Sequence, residues 1–238
     1  MAKQTRMYRY DFRGHHLIPA AASNLGTPFS KADTSAAGSP TMVGITGGGL
    51  RLLLDATNEV QNLCLYMNDI LPFDIDEIIR AWFIARTVAT VDSTTQIAFG
   101  LTGARNDAID SIAQAALFRV IGNNSIVVET DDGTNNNDDK STGATLVAQW
   151  KRFEINFAER ITTVEPPSVS TGRPSNIGFY AANTRGALRR VASGTRFDMS
   201  NYTSGLQLFA QIQKTADTNA NYLDILEMGV ELELPDYS

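Results

Sequence analysis

Leu226-Glu-Met-Gly-Val-Glu-Leu-Glu-Leu234 alternates apolar and acidic residues: Met228, Val230, Leu232 and Leu234 on one side, Glu227, Glu231 and Glu233 on the other. A side-chain period of two belongs to a strand with one face on a core and one in water. Upstream, Leu206, Leu208, Ala210 and Ile212 alternate in the same way with Gln207, Gln211 and Gln213. Between the two lies Lys214-Thr-Ala-Asp-Thr-Asn-Ala-Asn221, which has turn chemistry and nothing to bury.

Working outward, the same logic yields a series of short strands. Leu50, Leu52 and Leu54 form one after Gly47-Gly-Gly49, and Leu63-Cys-Leu-Tyr-Met67 is another. Arg80-Ala-Trp-Phe-Ile-Ala-Arg-Thr-Val-Ala-Thr90 is apolar on both faces, which predicts a central strand covered on each side. Gln96-Ile-Ala-Phe-Gly-Leu101 sets Ile97, Phe99 and Leu101 on one face. Leu117 to Ile121 and Ser125 to Thr130 flank Gly122-Asn-Asn124, a hairpin signal. Asn106 to Ala116 has helical character and reads as a short turn on a loop. Residues 131–145 read as a long polar loop, Trp150 to Phe157 as a strand, and Glu165-Pro-Pro as a break. Many short strands with turn signals between them predict an all-β, antiparallel sandwich.

The 238 residues suffice for one such sandwich. Net charge is −6, from 20 basic and 26 acidic residues, which disfavours nucleic acid as a partner of the body. No apolar run approaches the roughly 18 residues of a membrane span. The basic N-terminus lacks the apolar segment of a secretory signal, so the expectation is a soluble protein made in the cytoplasm. One cysteine, Cys64, leaves no disulfide framework and no cysteine-based zinc site. Flanked by Leu63 and Leu65, it reads as a small buried hydrophobe.

Residues 1–46 differ from the rest. From His15 to Pro40 the chain is rich in Ala, Ser, Gly, Thr and Pro with little periodicity, a composition that makes no core of its own. In the first 14 residues Lys3, Arg6, Arg9 and Arg13 stand against Asp11, a balance of +3 that leaves −9 for the remainder. Tyr8, Tyr10, Phe12, Leu17, Ile18 and Phe29 are costly to leave in water, so the segment lies either on a partner or across its own sandwich. The expected division is an extended N-terminal arm, 1–46, and a sandwich domain, 47–238.

Several pieces carry a resemblance. They are Phe73-Asp-Ile-Asp76, Ile97-Ala-Phe-Gly-Leu101, Ala116-Leu-Phe-Arg-Val120 with its Gly122 turn, and Val128-Glu-Thr-Asp-Asp-Gly-Thr134. Thr145-Leu-Val-Ala-Gln-Trp150 leading into Phe153-Glu-Ile, and the closing strands at 206–214 and 223–230, continue the pattern. Residues 73–234 thereby resemble the concanavalin A-like (laminin G-like) jelly rolls of tailed-phage virion proteins. The resemblance implies a jelly-roll β-sandwich and a virion context. Residues 1–46 have no counterpart in it, and 160–190 depart from the usual short hairpin.

Glu154-Ile-Asn-Phe-Ala-Glu159 is the sharpest enzymatic hint. It resembles the Glu-x-Asp-x-x-Glu strand of retaining glycoside hydrolases that share the jelly roll, whose two glutamates, nucleophile and acid/base, lie roughly 5–5.5 Å apart. Asn156 replaces the tuning aspartate, and alternation turns Phe153, Ile155 and Phe157 inward, leaving Glu154 as a solvated strand residue. Thr130-Asp-Asp-Gly-Thr-Asn-Asn-Asn-Asp-Asp139 has the oxygens for calcium without the EF-hand spacing; a lectin-type site stays open beside a solvated loop. His15 and His16 point opposite ways on an extended chain and cannot jointly hold a metal without a bend. Gly44-Ile-Thr-Gly-Gly-Gly49 lacks the Lys-Ser/Thr of a phosphate loop and reads as a turn.

No catalytic, cofactor or metal residue is therefore expected. The reading is a non-enzymatic virion structural protein: a capsid decoration (cement) protein on the outer capsid surface of a tailed bacteriophage. Its partner is the major capsid protein, gripped through Lys3, Arg6, Tyr8, Arg9, Tyr10, Phe12 and Arg13 of the arm. A homo-oligomer, with a trimer as the guess, suits symmetric positions on a shell. The alternative is a glycan-binding, lectin-like head- or tail-fibre module with Tyr180 and Tyr202 as candidates; a glycoside hydrolase stands behind both.

Overall fold

The period-two pattern at the C-terminus becomes a twelve-residue strand that runs through the middle of a sheet, with Met228 and Val230 fully buried and Leu232 nearly so. The computed structural model describes residues 4–14, 17, 27–157, 174–183 and 186–234. In chain order its strands are β1 (Thr5–Asp11), β2 (Ser30–Thr34), β3 (Thr41–Gly44), β4 (Leu50–Leu53), β5 (Glu59–Tyr66), β6 (Phe73–Asp74), β7 (Ile78–Thr87) and β8 (Thr95–Thr102). They continue with β9 (Ala115–Ile121), β10 (Ser125–Asp131), β11 (Asn136–Thr145), β12 (Lys151–Asn156), β13 (Gly178–Asn183), β14 (Arg189–Val191), β15 (Gly205–Asp217) and β16 (Tyr222–Glu233).

Two antiparallel sheets result, the two layers of an all-β sandwich. Sheet A runs β14-β13-β12-β7-β16-β4-β3, with β1 also on β16; sheet B runs β11-β10-β9-β8-β15-β5-β2, with β6 also on β15. Strands β15 and β16 are consecutive but lie in different sheets, so residues 218–221 arch across the sandwich rather than closing a hairpin. A register shift between Ile225 and Glu227 reverses which side chains of β16 face inward: Leu223 and Ile225 before it, Met228 and Val230 after it. The same bulge lets the first half of β16 pair with β4 and the second half with β1.

Facing side chains interdigitate around a column of phenylalanines. Phe83 meets Phe99 (5.7 Å), Phe99 meets Phe118 (5.6 Å), Phe118 meets Phe153 (5.0 Å) and Phe179 (5.2 Å), and Phe179 meets Phe197 (4.9 Å). Such pairs contribute about 0.5–1.5 kcal/mol each beyond their burial. Gly122, Asn123 and Asn124 all take positive φ in the β9–β10 turn, the conformation a tight hairpin demands.

Three expectations are corrected. The chain does not divide at residue 46: β1 pairs with β16 through seven positions, β2 with β5 and β3 with β4, while Phe12 and Phe29 are buried in the common core. Residues 5–12 and 29–44 are thus part of the sandwich, because their aromatic side chains find cover there. Strand β7 is central, but it alternates: Ile78, Ala81, Phe83 and Ala85 face the core, while Arg80, Trp82, Ile84 and Arg86 lie half-buried on the outer face. Residues 136–145 form edge strand β11 rather than a loop. With none of its residues buried it shows no apolar alternation, and backbone pairing with β10 makes it a strand.

Candidate functional site

In a two-layer sandwich the outer faces of the sheets are where a cleft can form. On sheet B that face carries Cys64, Tyr66, Ala98, Leu117 and Phe209, all buried. The cover is residues 103–114, which fold back over the sheet with a single 3-10 turn at Ile109–Ser111. Ile109 and Ile112 pack on that apolar patch to make a second, smaller core. Polar side chains of the sheet clamp the cover: Gln207 Nε2 donates to the Gly103 carbonyl (2.8 Å) and Gln211 Nε2 to the Asp107 carbonyl (2.9 Å). The Ile109 N–H in turn donates to Gln213 Oε1 (3.0 Å).

Arg119 completes the closure. Almost fully buried, it binds Glu129 on β10 (2.6 Å), Asp139 on β11 (3.4 Å) and Asp110 of the cover. Burial pushes the Glu129 carboxyl up to about 7, against the pull of the neighbouring guanidinium. At one end of the cover, Asp69, Arg105, Asn106 and Asp107 line a shallow polar depression. Arg105 holds the Asp107 carboxyl below its ordinary range there. Cys64 lies beneath the cover, and burial raises its thiol well above the ordinary value.

The outer face of sheet A is organised by paired charges. Asp224, with no side-chain exposure, accepts from Arg51 (2.7 and 2.9 Å) and from Arg86 (2.9 Å). Arg51 stacks on Tyr222 at 3.7 Å and Arg86 on Trp150 at 4.4 Å. Glu227 accepts from Arg9 (2.6 Å) and from the Trp82 indole N–H (2.9 Å). Arg80 joins Glu231 (2.7 Å) to Glu154 (3.2 Å). Trp82 passes so close over Gly229 that a Cβ there would collide with the indole. These carboxylates are each paired with guanidinium groups on the outer face of sheet A.

The expected site residues fall in different places. Tyr8, Tyr10 and Phe12 turn inward, Tyr8 against Phe73 (5.5 Å) and Tyr10 and Phe12 against Phe29 (5.0 and 5.6 Å). Arg9 pairs with Glu227, Arg13 with Asp11 (2.6 Å), and Arg6 lies over the Tyr8 ring (5.0 Å). Lys3, His15, His16 and Glu159 lie outside the described residues. Glu154 lies on the outer face of sheet A tied to Arg80, with 12% side-chain exposure, so it is largely covered rather than the solvated strand residue expected. Asp132, in the stretch weighed for calcium, accepts from the backbone N–H groups of Thr134 (2.9 Å), Asn135 (2.6 Å) and Asn201 (3.1 Å). Among the described residues no three His, Cys, Asp or Glu side chains gather as metal ligands. Tyr202 donates its hydroxyl to the Gly205 carbonyl (2.8 Å), and Tyr180 is half-buried on β13.

The Arg119 cluster and the Asp224 pair of arginines were not anticipated. Their sequence signal is slight: charged residues on outward positions of strands, whose partners lie up to 173 positions away.

No protein-family model and no curated protein matches the chain. Solved structures do. A protein of unknown function from Shewanella oneidensis MR-1 superposes with a TM-score of 0.60 at 13% identity, covering 98% of this chain and 88% of its own. The β-glucanase of Bacillus licheniformis gives 0.56 at 9%, covering 94% and 97%. The exoplasmic/lumenal domain of VIP36, in a calcium- and Man3GlcNAc-bound form, gives 0.56 at 9%, covering 94% and 90%. The chain has the concanavalin A-like jelly-roll fold of these proteins. At such identities the likeness is one of fold, shared by lectin domains and a hydrolase alike.

Proposed function

We propose that the protein is a non-catalytic structural module of a larger assembly, specifically a decoration protein on the outer surface of a tailed-phage capsid that stabilises the head by binding the major capsid protein. The single observation that supports a non-catalytic role is the closure of sheet B by residues 103–114, pinned through Gln207, Gln211, Gln213 and Arg119. A sandwich whose outer sheet face is filled by its own chain has no groove there for a polymer substrate. An acidic body resists self-association, and a protein that binds only the assembled shell stabilises it by mass action. A homo-oligomer, such as a trimer, matches symmetric shell positions.

A second reading, a glycan-binding head- or tail-fibre module, draws on one feature: the depression of Asp69, Asn106 and Asp107 offers carboxylate and amide groups of the kind that hydroxyls bond. Co-sedimentation of the purified protein with isolated capsids, alongside a glycan array, separates the two. Saturable capsid binding with a rise in capsid melting temperature is the expected result. Glycan binding abolished by Asp107→Ala without capsid binding establishes the second reading, and turnover of a polysaccharide overturns both.

A further inference from the structure

The cover over sheet B is a loop with a narrow neck. The Gly103 N–H donates to the Gln114 carbonyl (2.9 Å), so its two ends meet. Among the described residues, positions 104–113 make backbone-to-backbone hydrogen bonds only with each other, Ser111 to Ala108 and Ile112 to Ile109. Side chains do the rest of the holding. The seat beneath is incompletely satisfied: Asn62 Oδ1, Thr102 Oγ1, Gln211 Oε1 and Arg119 Nε are buried there without a hydrogen-bond partner among the described residues. Each of these atoms gains a partner from water when the cover lifts, which lowers the free energy of opening.

Arg119 ties the cover to the sheet through charge. One terminal guanidinium nitrogen serves Glu129 and Asp139, and the other serves Gln96 and Asp110 of the cover. Around Glu129 stand Arg119 from β9, Asp138 and Asp139 from β11, Asp131 of its own strand and, across the guanidinium, Asp110. Lys140 pairs with Val128, whose side chain lies in the main core, and so faces away. Ionised Glu129 competes with Asp110 for the guanidinium and repels it; protonated Glu129 does neither.

We propose that Arg119 is a pH-controlled latch: with Glu129 protonated it binds Asp110 and holds the cover shut, and ionisation of Glu129 releases the cover from the apolar strip of Tyr66, Leu117 and Phe209. The latch works whatever the shell or glycan partner of the protein is. Burial under the closed cover holds the Glu129 carboxyl up at about 7, and water entering beneath an open cover returns it toward the ordinary carboxylate range. The closed form therefore binds the proton more tightly than the open form. It is favoured most below the ordinary range and loses ground as pH rises through about 7. Across that window the opening constant climbs by up to about tenfold per pH unit. Asp107, held below its ordinary range by Arg105, stays ionised throughout and adds no slope.

Amide exchange on the full chain reads the latch at the Ile109 and Ile112 N–H groups, expressed as protection factors so that base catalysis of exchange cancels. Their protection should fall at least about tenfold between about pH 5 and about pH 8. Glu129→Gln should keep the same protection at both pH values. Asp110→Asn, a change at an exposed residue, should lower protection at about pH 5 by about threefold or more with the melting temperature held. Protection independent of pH in wild type, a pH dependence that persists in Glu129→Gln, or protection unaltered in Asp110→Asn each overturns the latch. Exchange at Ile109 that responds to urea as steeply as exchange at Phe99 of β8 also overturns it, because the chain is then unfolding rather than lifting its cover.

Discussion

Two charged side chains buried in sheet B respond to their surroundings in opposite ways. Lys214 has no side-chain exposure, yet its ammonium donates to the carbonyls of Asp55 (2.6 Å) and Thr57 (3.0 Å) in the β4–β5 loop and of Asp217 (3.0 Å) at the end of β15, with the Asp217 carboxylate 3.9 Å away. Glu129 has a single guanidinium to answer its desolvation, and its carboxyl is pushed up to about 7. The folded protein therefore holds this proton more tightly than the unfolded chain does. Its contribution to stability is full below the ordinary carboxylate range and is lost as pH rises through about 7. Urea unfolding at about pH 5 and about pH 8 should show wild type losing on the order of 2–3 kcal/mol across that interval. Glu129→Gln should lack that part of the slope; parallel slopes in the two proteins would show that Glu129 is not its source.

Among the elements, β1 and the 103–114 cover do what neither sequence segment announces. Strand β1 brings Tyr8, Tyr10 and the following Phe12 under the sandwich edge, where Phe12 is fully buried. A deletion of residues 1–12 therefore exposes Phe29 and Phe73 and strips the second half of β16 of one of its two partner strands. Loss of one fully buried phenylalanine alone costs about 3–5 kcal/mol. Thermal melting of the truncated chain should show a large drop or insoluble protein. A truncated chain that melts like wild type would mean that β1 contributes nothing to the fold. The cover follows the same physics on the other sheet: Ile109 and Ile112 are apolar residues in a polar loop, and they are buried because Phe209 and Leu117 need shielding.

For the molecule as a whole, one core joins residues from Phe12 to Leu232. Unfolding should accordingly be a single cooperative transition in calorimetry, with equal van't Hoff and calorimetric enthalpies. A separate low-temperature transition from the N-terminal strands would contradict that common core. Period-two alternation at 206–212 and 226–234, the apolar run at 80–90 and the Gly122-Asn-Asn124 turn were enough to determine an antiparallel sandwich, because those signals are local and the backbone imposes them. The inward side chains Phe99 and Phe153 were legible for the same reason. Strand β11 was not, since an edge strand with no buried residue carries no apolar pattern. Only the tertiary structure decided that Arg119 would gather Glu129, Asp110 and Asp139, that Asp224 would hold Arg51 and Arg86, and that residues 5–11 would complete a sheet. Each of those depends on register between distant strands, and charge or composition along the chain carries no information about which positions will face one another.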